Sequence, residues 1–194
     1  DVCSSDLDAI FKEFHVEHRA EVTFECNPDD VSEGYFVCLK NLGINRVSIG
    51  VQSFQEKDLE FLGRRHGVKE NYYALEQAFK AGFHNVSLDL IYGLPGSVPK
   101  DWEDTLKQAF DQPITHFSAY HLTIEPETGF GKMAAQGSLA ELPEEQSLNQ
   151  FRLLMDHARD QGFEHYELSN FALPGYYSRH NTSYWQQIPY LGLG

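Results

Sequence analysis

Three stretches of the chain repeat one rhythm, in which an amphipathic run closes on glycine, an apolar residue follows, and a strand-like run begins within a few positions. They are "CLKNLGINRVSIGVQ", "QAFKAGFHNVSLDLIYG" and "ARDQGFEHYELSNFA". Gly43, Gly82 and Gly162 fall where a helix would end on a left-handed residue, a conformation that penalises any Cβ. The pattern predicts strands over Glu21 to Cys26, Arg46 to Gln52, Asn85 to Tyr92, His116 to Thr123 and His165 to Phe171. Helices fill most of the gaps, including a long one through "EEQSLNQFRLLMDHARDQ". Asp30 with Glu33, and Ser53 with Glu56, have the spacing at which a capping side chain and a glutamate satisfy two orphan N–H groups reciprocally. Pro99 suits the first turn of the helix running through "DWEDTLKQAF".

Strands alternating with helices imply βαβ units and a largely parallel sheet with right-handed crossovers. No G-x-G-x-x-G run follows a strand, so a dinucleotide-binding open sheet loses ground to a parallel barrel. Barrels of this kind build their sites at the carboxyl ends of the strands. Read there, the chain offers Glu25, Gln52 and Asp89 at or near successive exits, then Tyr120, His121, Thr123 and Glu125. Any one buried acid is most often structural, paired with a backbone N–H or an arginine. Three polar residues in one layer point instead to a ligand rich in hydroxyl and charged groups, because an unpaired buried carboxylate costs several kcal/mol or becomes neutral. Arg64 and Arg65 could supply cations to these acids, or could simply end a solvated helix.

Composition narrows the partner. The 194 residues carry 29 acidic against 15 basic side chains, a formal charge of -14, which disfavours nucleic acid and leaves small molecules or proteins. No apolar run is long enough to span a bilayer and no signal segment opens the chain, which reads as cytoplasmic. Cys3, Cys26 and Cys38 have neither disulfide-framework nor zinc spacing and read as reduced thiols. The opening "DVCSSDL" lacks periodicity and resembles a translated sequencing adapter, and the chain stops at "YLGLG" without a polar tail. The expectation is an internal fragment: residues 1–7 a non-native leader, 8–140 a partial barrel, and 141–194 a last helix–strand unit with the start of a C-terminal region.

The phrases "EVTFECNPDD", "LGINRVSIGVQSF", "LGRRH", "AGFHNVSLDLIYGLPG", "LTIEPETGF" and "YELSNFALPG" resemble radical S-adenosylmethionine proteins of the oxygen-independent coproporphyrinogen oxidase type. Within that group the chain looks most like the HemW-type heme chaperones, from about residue 8 onward. The resemblance implies an α/β fold, a partial parallel (β/α) barrel truncated at its N-terminus and followed by the start of a C-terminal extension. It also implies that Glu25, Gln52, Arg64, Asp89, Ile91 and Thr123 hold S-adenosylmethionine. Amides and carboxylates suit ribose hydroxyls or an ammonium, and a guanidinium can fork onto a carboxylate. The family's [4Fe–4S] cluster uses a C-x-x-x-C-x-x-C loop, and neither that loop nor the family's glycine-rich methionine-binding stretch occurs in this sequence. The expectation is that this piece alone binds cluster and S-adenosylmethionine poorly, both belonging to the full-length protein.

Two activities share such a barrel, a heme chaperone and a coproporphyrinogen dehydrogenase that decarboxylates propionates oxidatively. An unrelated barrel enzyme using Asp89 and Glu25 as acid and base is the blander alternative. The stretch "SRHNTSYW" separates the first two by resemblance: H-N-x-x-Y-W, here His180, Asn181, Tyr184 and Trp185, matches the chaperones' heme-binding element. His180 would be the axial ligand to heme iron, beside flat aromatic surface. Without the resemblance, the same residues read as a loop packed on the sheet. The implied partners are heme and heme-recipient proteins such as a respiratory-chain protein, with peripheral membrane contact open. His121 reads as a possible mouth residue; His15, His18, His66, His84, His116, His157 and His165 read as surface or turn residues, and Met133 and Met155 as packing.

Overall fold

The fold is taken from a computed structural model that describes residues 2–192. Helix α1 (Val2–Glu13) leads to strand β1 (Thr23–Cys26), a 3-10 turn (Pro28–Asp30), α2 (Tyr35–Asn41) and β2 (Arg46–Gln52). Then come α3 (Glu56–Phe61), α4 (Val68–Lys80), β3 (Val86–Tyr92), α5 (Pro99–Phe110) and β4 (His116–His121). The chain continues through α6 (Gly129–Ala135), α7 (Glu144–Asp160), β5 (Glu164–His165), β6 (Asn170–Ala172) and α8 (Arg179–Trp185). One sheet holds all the strands in the order β1-β2-β3-β4-β6-β5, with β1 to β4 parallel and the last two pairings antiparallel.

The expected helix–glycine–strand rhythm is present. Gly43, Gly82 and Gly162 take φ of 92°, 80° and 79° directly after α2, α4 and α7. Pro99 opens α5 as its position suggested. The proposed capping boxes differ. Asp30 closes the 3-10 turn, and α2 starts from Gly34 at φ 78° without a side-chain cap. Ser53 donates to the Asp58 carboxylate at 2.8 Å and accepts from the Gln55 N–H, while Glu56 reaches across to the Val68 N–H. The strand expected over His165 to Phe171 is broken into β5 and β6, which fold back on each other as a short hairpin. The opening stretch, which shows no periodicity, is helical from Val2; its Leu7 packs against the core.

Successive side chains of a strand point to opposite faces. One face carries Val47, Ile49 and Val51 of β2, Val86, Leu88 and Leu90 of β3, and Phe117 and Ala119 of β4. These form a single core with Ala74, Leu75 and Ala78 of α4, Leu106 and Ala109 of α5, and Leu154 and Ala158 of α7. Each fully buried Leu or Phe there contributes about 1.5–3 kcal/mol through apolar area removed from water. The helices thus cover one side of the sheet, leaving the other to chemistry.

Candidate functional site

The opposite face of the same strands is polar. Alternation places Thr23 and Glu25 of β1, Arg46 and Ser48 of β2, Ser87 and Asp89 of β3, His116, Ser118 and Tyr120 of β4, and Asn170 of β6 on it. The register aligns Glu25, Ser48, Ser87 and His116 as one row, and Asp89, Ser118 and Asn170 as the next. Parallel strands covered on both sides are ordinarily apolar throughout. A polar row across four strands therefore makes this face a candidate binding wall.

Hydrogen bonds organise this wall. Ser48 Oγ donates to Asp89 Oδ1 at 3.4 Å, Ser118 Oγ lies 2.7 Å from Asn170 Oδ1, and His116 sits between Ser87 Oγ at 2.7 Å and the Tyr166 hydroxyl at 2.8 Å. Burial pushes Asp89 up to about 6; hydrogen bonding from Ser118 opposes this, the Glu25 charge adds to it, and Arg46 and Ser48 partly offset it. Burial, aided by Arg46, pushes His116 down to about 3, so its ring is neutral. The wall thus carries the Glu25 and Asp89 carboxyl groups together with the Arg46 guanidinium.

Glu25 and Asp89 share this wall, with Glu25 exposed on β1 and Asp89 half-buried on β3. Gln52, 7 % exposed, closes β2 with φ 65°, a left-handed value that costs a residue with a Cβ about 1 kcal/mol or more. Gly50 makes this possible: a Cβ there would lie 2.9 Å from Gln52 Nε2 and 3.3 Å from Asn27 Oδ1. Arg64 follows α3 and reaches Asn27 Oδ1 at 3.5 Å, so it does not pair with the acids. Arg65 instead binds Asp29 at 2.7 Å and Asp30 at 3.6 Å. Ile91 is half-buried on the inner face of β3, and Thr123 is exposed just beyond β4. His121 is 3.0 Å from Ser147 Oγ and sits edge-on to Tyr92.

The "RHNTSYW" stretch is not a loop. It forms α8, started by Ser178, whose hydroxyl accepts from the Asn181 N–H at 3.3 Å. The i, i+4 spacing stacks His180 edge-on against Tyr184 with ring centroids 4.8 Å apart. Asn181 is half-buried, while Tyr184 and Trp185 are 48 % and 61 % exposed. A backbone bond from Arg179 N–H to Glu21 Oε1 at 3.0 Å, and one from its guanidinium to Arg19 O at 2.8 Å, fix α8 beside β1. Between them lies a cavity of about 500 Å³ lined by Glu25, Thr23 and Arg46 on the sheet side and by Arg179, His180 and Asn181 on the helix side.

Two histidines placed at the surface by sequence reasoning are buried: His66 at 3 % and His116 at 0 % exposure. The residues that the sequence reading missed are Arg46, Ser48, Ser118 and the His116–Tyr166 pair. Their signal was available as strict alternation, since "RVS", "SLD" and "HFSAY" carry a polar or aromatic polar residue at every second position. Cys26 is buried, and burial together with Asp30 and Asp89 pushes its thiol up to about 12; Cys38 is exposed on α2. No grouping of three His, Cys, Asp or Glu side chains among the described residues could hold a metal. These residues do not fit a cluster.

Residues 3–109, more than half of the chain, match the radical SAM superfamily. The chain is 39 % identical over 175 residues to the heme chaperone HemW of Bacillus subtilis, covering 90 % of this chain and 46 % of that protein. It is 38 % identical over 192 residues to HemW of Escherichia coli, covering 97 % and 49 %. The mouse mitochondrial protein named radical S-adenosyl methionine domain-containing protein 1 is 34 % identical over 188 residues, with 97 % and 42 % covered. The chain thus spans about half the length of the curated relatives it matches. Among solved structures, coproporphyrinogen III oxidase HemN of Escherichia coli superposes with a TM-score of 0.78 at 22 % identity, covering 96 % of this chain and 42 % of that one. This likeness speaks for the fold. On the superfamily match, the chain belongs to the radical SAM superfamily.

Proposed function

We propose that this chain is the part of a heme chaperone that carries four parallel barrel strands and the heme-contacting helix, with His180 the axial ligand. The observation that supports it most is the cavity shared by His180 and Asn181 of α8 with Glu25 and Arg46 of the polar wall. The imidazole lines this space, and Tyr184, 48 % exposed, packs edge-on against it. Imidazole is a good heme ligand, and aromatic side chains offer flat apolar surface. The HemW names of the curated relatives agree with this reading.

Glu25, Gln52, Asp89, Arg64, Ile91 and Thr123 form the S-adenosylmethionine side of the proposal. The strained Gln52 amide and the Glu25 and Asp89 carboxyl groups fit a ligand that carries an ammonium, a sulfonium and ribose hydroxyls. Arg64, tied to Asn27 by a long bond at 3.5 Å, is the guanidinium proposed to meet the carboxylate. When bound, S-adenosylmethionine supplies an activated sulfonium; this chain's residues orient it and balance its charge. The cysteines of this chain take no part.

Titrating iron protoporphyrin IX into the chain and into His180→Ala tests the heme reading. The expected result is a Soret shift for wild type and at least tenfold weaker binding for the variant; equal binding removes His180 from the proposal. Conversion of coproporphyrinogen by the full-length parent protein, with indifference to His180, would favour the dehydrogenase instead.

A further inference from the structure

Arg46 carries a buried donor without a partner among the described residues. It stands at the start of β2 on the polar face and is 4 % exposed, yet its Nε has no hydrogen-bond partner among the described residues. Its neighbour across the β1–β2 pairing, Thr23, has a buried hydroxyl that is also without a partner. Both residues line the cavity beside α8. Burying a guanidinium away from any acceptor costs several kcal/mol unless something else supplies the counter-charge.

No ion pair joins Arg46 to an acid among the described residues, although Glu25 lines the same cavity. Glu21 accepts from the Arg179 N–H at 3.0 Å. Asp89 is bonded to Ser48, and the charge of Arg46 acts on Asp89, His116 and Tyr166 without a hydrogen bond to any of them. A guanidinium whose buried Nε is unpaired, next to an unpaired hydroxyl, both lining one cavity, offers donors to a carboxylate.

We infer that Arg46 and Thr23 form a carboxylate subsite that holds one propionate of the porphyrin. This rests on the heme reading above, because it is His180, on the helix that closes the cavity, that makes a porphyrin the occupant. The arrangement divides the labour: the helix side takes the metal, the strand side takes the acid. It also gives the chaperone a means of choosing porphyrins with free propionates over neutral tetrapyrroles, since an ester leaves the guanidinium buried and unpaired.

The test compares iron protoporphyrin IX with its dimethyl ester, by Soret titration, on the wild-type chain and on Arg46→Met, Arg46→Lys and Thr23→Val. Wild type binds the diacid at least tenfold more tightly than the diester. Arg46→Met binds both alike, Arg46→Lys keeps part of the preference, and Thr23→Val lowers it by a smaller factor. A wild-type diacid-to-diester ratio retained in Arg46→Met overturns the subsite. Should Arg46→Met fail to fold by circular dichroism, an unchanged ratio in Thr23→Val overturns it instead. Equal binding of both porphyrins by wild type removes the subsite and leaves the heme reading standing, whereas no Soret shift with either removes both.

Discussion

Asp89 and His116 occupy the same wall and respond to burial in opposite ways. Asp89 is raised from 3.8 to about 6, so the folded chain holds its proton more tightly than the unfolded chain does. Its contribution is therefore fully present below about pH 4 and is lost as pH rises through about 6. At about 1.4 kcal/mol per pKa unit, ionised Asp89 costs up to about 3 kcal/mol at neutral pH. Asp89→Asn should accordingly gain up to that amount over wild type at pH 7.5 and little at pH 4, measured by urea unfolding at both values. A gain that is the same at both pH values would refute the titration of Asp89 as its source. His116, lowered from 6.5 to about 3, acts the other way: the unfolded chain takes up its proton first, so stability falls as pH drops from about 6.5 towards 3. Gln52 shows a different compromise, a left-handed backbone at φ 65° at a buried strand end. Gln52→Gly should leave thermal stability unchanged or raise it by up to about 1 kcal/mol while weakening any ligand held by that amide. Loss of stability in Gln52→Gly would mean that the amide is structural.

Helix α8 has only 7 residues, too few to persist on local propensity, and it depends on its cap and on its ties to β1. Ser178 is 1 % exposed, accepts from Asn181 N–H, and its own N–H donates to the Tyr166 hydroxyl at 3.3 Å. Ser178→Ala should cost about 1 kcal/mol and fray the helix that carries His180. Heme affinity should then fall even though every proposed contact residue is intact; an unchanged affinity would show that α8 needs no cap to present His180. This helix also marks a limit of sequence reading. Ser, Asn and Thr compete for backbone hydrogen bonds and resemble a turn, so a short capped helix rich in them looks like a loop until its tertiary ties are known. The same holds for the last strands: His165 to Phe171 reads as one strand in sequence, but Glu167 to Ser169 bend, and pairing direction is decided by what β4 offers. By contrast β2 was legible to the residue, because seven residues buried on both faces leave no ambiguity of boundary. Arg46 escaped notice for the opposite reason, since a charge opening an apolar run ordinarily sits in solvent.

Across the whole molecule, stability should be graded along the sheet. Strands β2 and β3 are flanked on both sides and backed by the continuous core of α4 and α5, whereas β1 has one partner, a half-buried Phe24 and an exposed Glu25. At the far side β5 has two exposed residues paired only to β6. Local opening follows buried apolar contact and backbone pairing, so the free energy of exposing an amide should rise from the edges towards the centre. Native-state hydrogen exchange is expected to find Ile49, Val51, Leu88 and Leu90 among the slowest amides, opening only with global unfolding. The amides of Thr23 to Cys26 should exchange at least a hundredfold faster. The gradient has a consequence for ligand binding, because the cavity beside α8 is walled by β1, the less secured side of the sheet. Heme bound between Arg46 and His180 would join β2 to α8 across β1. It should therefore slow exchange in β1 and α8 more than in β3, which is already held by the core. Equal protection across all strands on heme addition would locate binding elsewhere than in this cavity.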